Sequence, residues 1–94
     1  MHYLYILYST QADKYYTGET ANLGSRLTQH NTHHFMKNYT KAATDWTLKH
    51  QFATNIKEEA VYLEKFIKRM KSRIFIEKII NDPVILKQIL EDKL

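Results

Sequence analysis

The sequence predicts an α+β fold, and three observations carry that expectation. Residues 2–20 hold two aromatic and β-branched runs, HYLYILY and KYYTGET, separated by a polar stretch. A further alternating run, DWTLKHQFAT, lies mid-chain. From Ile56 onward apolar residues recur at threes and fours, the period of a helix face. With 94 residues there is room for one small domain and one modest core. The expected organisation is therefore a single domain over 1–94, its core over about 2–75 and a C-terminal helical segment over about 76–94.

In chain order, HYLYILY reads as a strand with Tyr3, Tyr5 and Leu7 on one face and Leu4, Ile6 and Tyr8 on the other. Both faces are thus at least partly covered. Ser9 to Asp13 is turn-like, and KYYTGET resumes strand character before ending near Gly18, which makes a β-hairpin with a loop longer than two residues. Thr20 or Asn22 caps a helix that turns Leu23 and Leu27 inward and is weakened locally by Gly24. Arg26 and His30 are also four apart, sharing a face beside the buried edge, a placement suited to a cleft. His33 to Thr44 reads as a polar loop. Its His33–His34 pair invites a metal reading, but adjacent side chains diverge and no Cys or Asp sits nearby at ligand spacing.

In DWTLKHQFAT, Trp46, Leu48 and Phe52 define the core side of a third strand. The helix that follows is expected to bury a stripe of Leu63, Phe66, Ile67, Met70 and Ile74. Lys65, Lys68 and Arg69 cluster on its other side, with Glu64 at the border near Ala60, Lys68 and Lys71. Pro83 marks a break or a helix start, after which Val84, Ile85, Ile89 and Leu90 supply a last apolar stripe.

Composition narrows the function classes. At 44% hydrophobic and 26% charged with two glycines and one proline, the chain is neither low-complexity nor collagen-like. It has no cysteine, so disulfides, thiolate zinc sites and cysteine nucleophiles are excluded. No apolar run reaches the roughly 18 residues of a membrane span, and the N-terminus lacks a secretory signal, so a soluble, cytoplasmic protein is expected. The formal charge of +4 is a mild basic bias. Its distribution says more: Lys65, Lys68, Arg69, Lys71 and Arg73 place five cations and no acid in nine residues, either a solvated helix face or a surface for phosphates.

Five of the seven tyrosines fall within the first sixteen residues. The pattern of YLY at 3 to 5, YTG at 16 to 18, then Arg26, His30 and Asn31, and later EEAVYLEKFIK, resembles the GIY-YIG nuclease superfamily, most of all its small stand-alone bacterial members. The resemblance covers residues 3 to 31 and 58 to 71, and its specificity lies in the joint spacing. It implies a three-stranded antiparallel sheet flanked by helices. It also carries the family's two motif tyrosines onto Tyr5 and Tyr16, its structural glycine onto Gly18, its helix arginine and histidine onto Arg26 and His30, and its metal-binding glutamate onto Glu64. Lys14 is the counterpart of a basic residue before the second triplet. The sequence departs from the pattern in having Tyr3 for the first glycine and YTG for the second triplet.

The implied chemistry is in-line phosphodiester hydrolysis, which needs a positioned water, charge neutralisation at the nonbridging oxygens and help for the leaving oxygen. Glu64 can supply one carboxylate to Mg²⁺ or Mn²⁺, and Mg²⁺ commonly takes only one or two from protein. Arg26 offers a planar, permanently charged fork for phosphate. An unperturbed phenol titrates near 10, so Tyr5 as the water-activating base or its relay needs a close cation, the metal or Lys14, to lower that value. Tyr16 and His30 then position water and phosphate, and the two tyrosines can exchange roles. Outside the family pattern, Tyr5 and Tyr16 would be ordinary strand tyrosines and Glu64 with Lys68 an ordinary i,i+4 pair; the joint spacing favours the site.

The expectation is a divalent-metal-dependent endonuclease acting on DNA or other nucleic acid. Lys14, Arg26, Lys65, Lys68, Arg69, Lys71 and Arg73 are its candidate phosphate contacts. Having no separate targeting module, it should be of low sequence specificity or borrow specificity from a protein partner. The alternatives are a nucleic-acid-binding domain that does not cleave and a protein-interaction module on the same fold.

Overall fold

The computed structural model describes residues 1–31 and 43–93. The His33–His34 pair and most of the expected polar loop lie outside the described residues. The elements run β1 (His2–Ser9), β2 (Lys14–Thr20), α1 (Leu23–Asn31), β3 (Thr47–Thr54), α2 (Lys57–Met70), α3 (Arg73–Asn81) and α4 (Val84–Lys93). They form a three-stranded sheet in the order β2-β1-β3, with β1 central and antiparallel to both neighbours. The expected α+β architecture is what the chain adopts.

β1 takes the centre because both of its faces are apolar. Leu4 and Ile6 pack under α2, α3 and α4 with Leu63, Ile67, Ile79 and Leu86. Tyr5 and Leu7 face the opposite way, against Trp46, Ala43 and the α1 leucines Leu23 and Leu27. Each such side chain removed from water contributes about 1.5–3 kcal/mol, so one strand organises two cores. At the hairpin tip Asp13 adopts a left-handed conformation (φ 50°), which Asp tolerates better than most residues. β2 continues past Gly18 to Thr20. Asn22 caps α1, its side-chain oxygen accepting from the Ser25 backbone N–H at 3.0 Å, while Thr20 instead accepts from the N–H of Asn22.

Three expectations are corrected. The first concerns β3, which begins at Thr47, after Trp46, and whose register against β1 shifts between Ile6 and Leu7: Ile6 faces His50, but Leu7 faces Leu48. The extra residue, Lys49, is a bulge that reverses the alternation. Phe52 therefore lies on the helical side with Leu4, whereas Leu48, 38% exposed, lies on the α1 side with Leu7.

The second concerns the long apolar stripe, which is broken. α2 ends at Met70, Lys71 turns left-handed (φ 49°), and Ser72 caps α3 by accepting from the Phe75 N–H. Leu63 and Ile67 are buried, but Met70 and Ile74 are 48% and 69% exposed because the helix axis changes direction between them. The third concerns α4, where Leu86 is the fully buried residue while Val84, expected inside, is half exposed. Ile85, Ile89 and Leu90 pack around Leu86 as partners of the core.

Candidate active site

The site is built around Tyr5. Its position in the central strand puts the ring on the α1 side of the sheet with only 1% of the residue exposed. Its register partner on β2 is Gly18, and the ring lies directly over that glycine. A Cβ at position 18 would stand 2.5 Å from the Tyr5 hydroxyl oxygen and 2.7 Å from Cζ. Gly18 is thus required for the room it leaves, since its φ is not positive. Turned across the strand in this way, the Tyr5 hydroxyl is 2.9 Å from His30 Nε2. His30 comes from the last turn of α1 and is itself 1% exposed.

Tyr16 completes an aromatic cluster. Its ring centroid is 4.7 Å from that of His30 and 6.3 Å from that of Tyr5, and Trp46 meets it edge-on at 6.4 Å. Edge and tilted arrangements at these separations are favourable through the ring quadrupoles. Trp46 is buried in the core as the sequence predicts, though just ahead of β3, and it also walls the site. It is held by Asn31, whose side chain accepts from the Trp46 backbone N–H at 2.7 Å and donates to the Trp46 carbonyl at 2.9 Å. Asn31 thereby fastens the end of α1, and His30 with it, to the segment entering β3. Nothing in the spacing of the sequence signals that pairing, because its partner is backbone.

Arg26 and Glu64 act on the same phenol from two different helices. Burial pushes the Tyr5 phenol well above its ordinary value, neighbouring Tyr16 adds to the shift, Arg26 opposes it and the Glu64 carboxylate reinforces it. This is the direction for the metal-free chain, in which burial prevails; the lowering expected from the sequence depends on a close cation, the metal or Lys14. Lys14, one of the cations considered for that role, is exposed and lines a groove on the far side of Tyr16. In the metal-free chain the protonated phenol of Tyr5 is the favoured form, hydrogen-bonded to His30.

Glu64 is partly shielded, its side chain 22% exposed, and it pairs with Lys68 one turn on, Oε2 to Nζ at 2.5 Å. Lys68 Nζ also lies 5.6 Å from the Tyr16 ring centroid, so this ion pair borders the tyrosine cluster. Among the described residues no group of three His, Cys, Asp or Glu side chains is assembled. A lone carboxylate at the border of a polar cluster fits a hard divalent ion that keeps most of its waters, the habit of Mg²⁺.

The basic run does not form one surface. Lys68, Lys71 and Arg73 line the groove beside Tyr16 together with Lys14. Lys65 points elsewhere, into a shallow hollow with Lys57 and Tyr62, and Arg69 stacks on Phe66 at 5.6 Å. The division follows from about 100° of rotation per residue along α2 and from the turn at Lys71. Arg73 is drawn into a structural knot: its Nη2 is 2.8 Å from Asp13 Oδ1, its guanidinium stacks over Tyr15 at 5.3 Å, and Tyr8 donates to the same Asp13 oxygen at 2.6 Å. That knot clamps the hairpin tip to the start of α3.

Compared with known families, residues 1–78 match the model of the GIY-YIG catalytic domain. No curated protein and no solved structure matches the chain.

Proposed function

The chain belongs to the GIY-YIG family, a nuclease-type domain, and from that premise we propose that it is a divalent-metal-dependent endonuclease that hydrolyses phosphodiester bonds of nucleic acid with low sequence specificity. One observation carries the reading: the Tyr5 phenol responds to Tyr16, Arg26 and Glu64 while it is hydrogen-bonded to His30. Four side chains from β2, α1 and α2 thus act on the one hydroxyl that Tyr5 presents from β1.

In this reading Glu64 holds Mg²⁺ or Mn²⁺. When bound, the ion supplies Lewis-acid stabilisation of charge on the phosphate and a more acidic water. Arg26 grips a nonbridging oxygen with its planar fork. Because a guanidinium only donates, a phenol oxygen shared with Arg26 accepts from it and directs its own hydrogen to His30 Nε2. Tyr5 then acts as a positioning group that keeps His30 and Arg26 in fixed orientation. Tyr16, half-buried with its ring against His30, is the phenol that meets the attacking water. The water oxygen bonds to phosphorus as the bond to the leaving oxygen breaks; the water's proton leaves through Tyr16 to solvent, and the leaving oxygen takes one from a solvent water, so that protons balance. Lys14, Lys68 and Lys71 attract the flanking phosphates. Cytoplasmic residence and a protein partner that supplies specificity are compatible with this reading. Among the described residues no helix is long and apolar enough to cross a membrane.

The test is nicking of supercoiled DNA with Mg²⁺ or Mn²⁺. Natural protein should produce nicked circles, and Glu64→Ala and Arg26→Ala should each abolish them while retaining the circular dichroism of the natural chain. Undiminished nicking by both folded variants would sink the assignment. Salt-sensitive binding without products under either metal would select a non-cleaving nucleic-acid-binding domain, and a stable protein complex without such binding would select an interaction module.

A further inference from the structure

Beside the tyrosine cluster a groove of about 550 Å³ runs between β2 and the corner where α2 gives way to α3. Its size falls within the ~300–1,000 Å³ typical of small-molecule sites. It shares Tyr16 and Lys68 with the candidate active site, so whatever fills it sits next to the reacting phosphate. Its two kinds of lining are separable. Tyr15 and Ile76, over buried Ile67, give it a largely apolar floor, whereas Lys14, Lys68, Lys71 and Arg73 supply cations. Its acid, Asp13, is neutralised by Arg73.

A phosphate surface has no use for an apolar floor. In a continuous duplex the base faces are stacked on one another and cannot reach one; a base meets such a floor only after leaving the stack. Aromatic and aliphatic surface flanked by cations is the chemistry that holds single-stranded nucleotides, base on the floor and phosphates on the charges. The backbone points the same way. The residue after a helix that adopts a left-handed conformation is usually glycine, yet here it is Lys71. A side chain is carried at that position despite its conformational cost, and it lines the groove.

We propose that this groove is a subsite for one unstacked nucleotide of the strand being cut, so that the preferred substrate is single-stranded, or is unpaired beside the scissile phosphate. The proposal rests on the nuclease reading above and specifies its substrate class. Half-buried Ile76 and Tyr15, the latter beside the Arg73 guanidinium, receive the base over Ile67 in the core beneath, and Lys14, Lys68 and Lys71 receive the phosphates on either side.

Fluorescence anisotropy with the full chain, in chelator so that cleavage plays no part, tests it at one fixed salt concentration. The probes are a labelled single-stranded DNA, its fully paired duplex, and the same single strand with abasic sugars throughout. Electrostatics alone favours the duplex, whose charge density is higher. The subsite predicts the reverse, single strand over duplex by about tenfold, and about tenfold weaker binding of the abasic strand. Ile76→Ser should reduce the single-strand advantage. If that variant fails to fold, the abasic comparison on the natural chain still decides. Equal binding of the abasic and natural strands, or duplex binding as tight as single strand, overturns the subsite. Nicking without base-dependent binding would keep the nuclease and reject the subsite; base-dependent binding without products under any metal would do the opposite.

Discussion

The Tyr5 ring crosses Gly18 so closely that a methyl group on the glycine would stand 2.5 Å from the phenol oxygen. The two residues are register partners on adjacent strands, and the missing side chain of one is the space the other uses to reach His30. A glycine that reads in sequence as a turn residue is, in the folded protein, half of a hydrogen-bonding arrangement.

Gly18→Ala should therefore cost about 1–3 kcal/mol, the range for overpacking a filled interior, although alanine is the better strand residue by intrinsic preference. Urea unfolding measures it. Adding Tyr5→Phe should recover only part of the loss, because the contact to Cζ at 2.7 Å survives removal of the hydroxyl. A neutral Gly18→Ala would show that the ring moves aside freely.

The raised phenol of Tyr5 makes stability fall at alkaline pH. An unfolded tyrosine releases its proton near pH 10, whereas burial makes folded Tyr5 retain it longer. Above that pH the unfolded state binds fewer protons, so unfolding free energy declines as pH rises; below it the group has no effect on the slope. Tyr8 and Tyr15, also raised, through Asp13 for the first and burial for the second, contribute in the same sense. Tyr5→Phe should make the decline shallower in urea melts taken between about pH 8 and 11. An unchanged slope would mean that Tyr5 ionises as an exposed phenol does.

Asn31→Ala should cost about 2 kcal/mol, from two backbone hydrogen bonds to buried Trp46 at typical net values near 1 kcal/mol each. Nicking should fall with it, since His30 loses its anchor. Asn31→Asp, which keeps the acceptor and loses the donor, should lie between. Chemical denaturation and the nicking assay on the same preparations check both expectations. A fully stable Asn31→Ala protein would show that the end of α1 is held by packing alone.

Lys71→Gly should raise stability by about 1 kcal/mol, because glycine enters the left-handed region without the steric cost that lysine bears. Affinity for single-stranded DNA should drop at the same time, through loss of one groove cation. Thermal melts and anisotropy read the two effects independently. A gain in stability with unaltered affinity would make Lys71 a simple helix terminator.

Much of the fold was legible because short-range patterns dictate it. The β1 and β2 runs, the α1 leucines and the Leu63–Ile67 stripe are each specified by side-chain periodicity, which is local information. The candidate site was legible only through the joint spacing of Tyr5, Tyr16, Arg26, His30 and Glu64, residues that no period relates. The failures were also specific. Leu48 and Phe52 parted because Lys49 bulges, a decision made by pairing with β1. Met70 and Ile74 were exposed because Lys71 turns the chain, although nothing in KRMKSR resembles a helix stop. The pairing of Arg73 with Asp13 and the Tyr15 ring is invisible in sequence because those partners are distant in the chain.

By itself, then, the sequence determined a small α+β fold with two apolar faces on a central strand, and through its resemblance to the family it singled out Tyr5, Tyr16, Arg26, His30 and Glu64 as candidates. The tertiary structure alone decided how those residues work. Burial set the direction of the Tyr5 phenol, which a list of neighbours in sequence cannot do, because desolvation depends on everything packed around the group. The fold also chose among five cations of one run, sending Lys68, Lys71 and Arg73 to the groove, with Arg73 also clamped to the hairpin, and Lys65 and Arg69 elsewhere. Charge is written in the sequence, but its direction in space comes only from the helix axes and the turn between them.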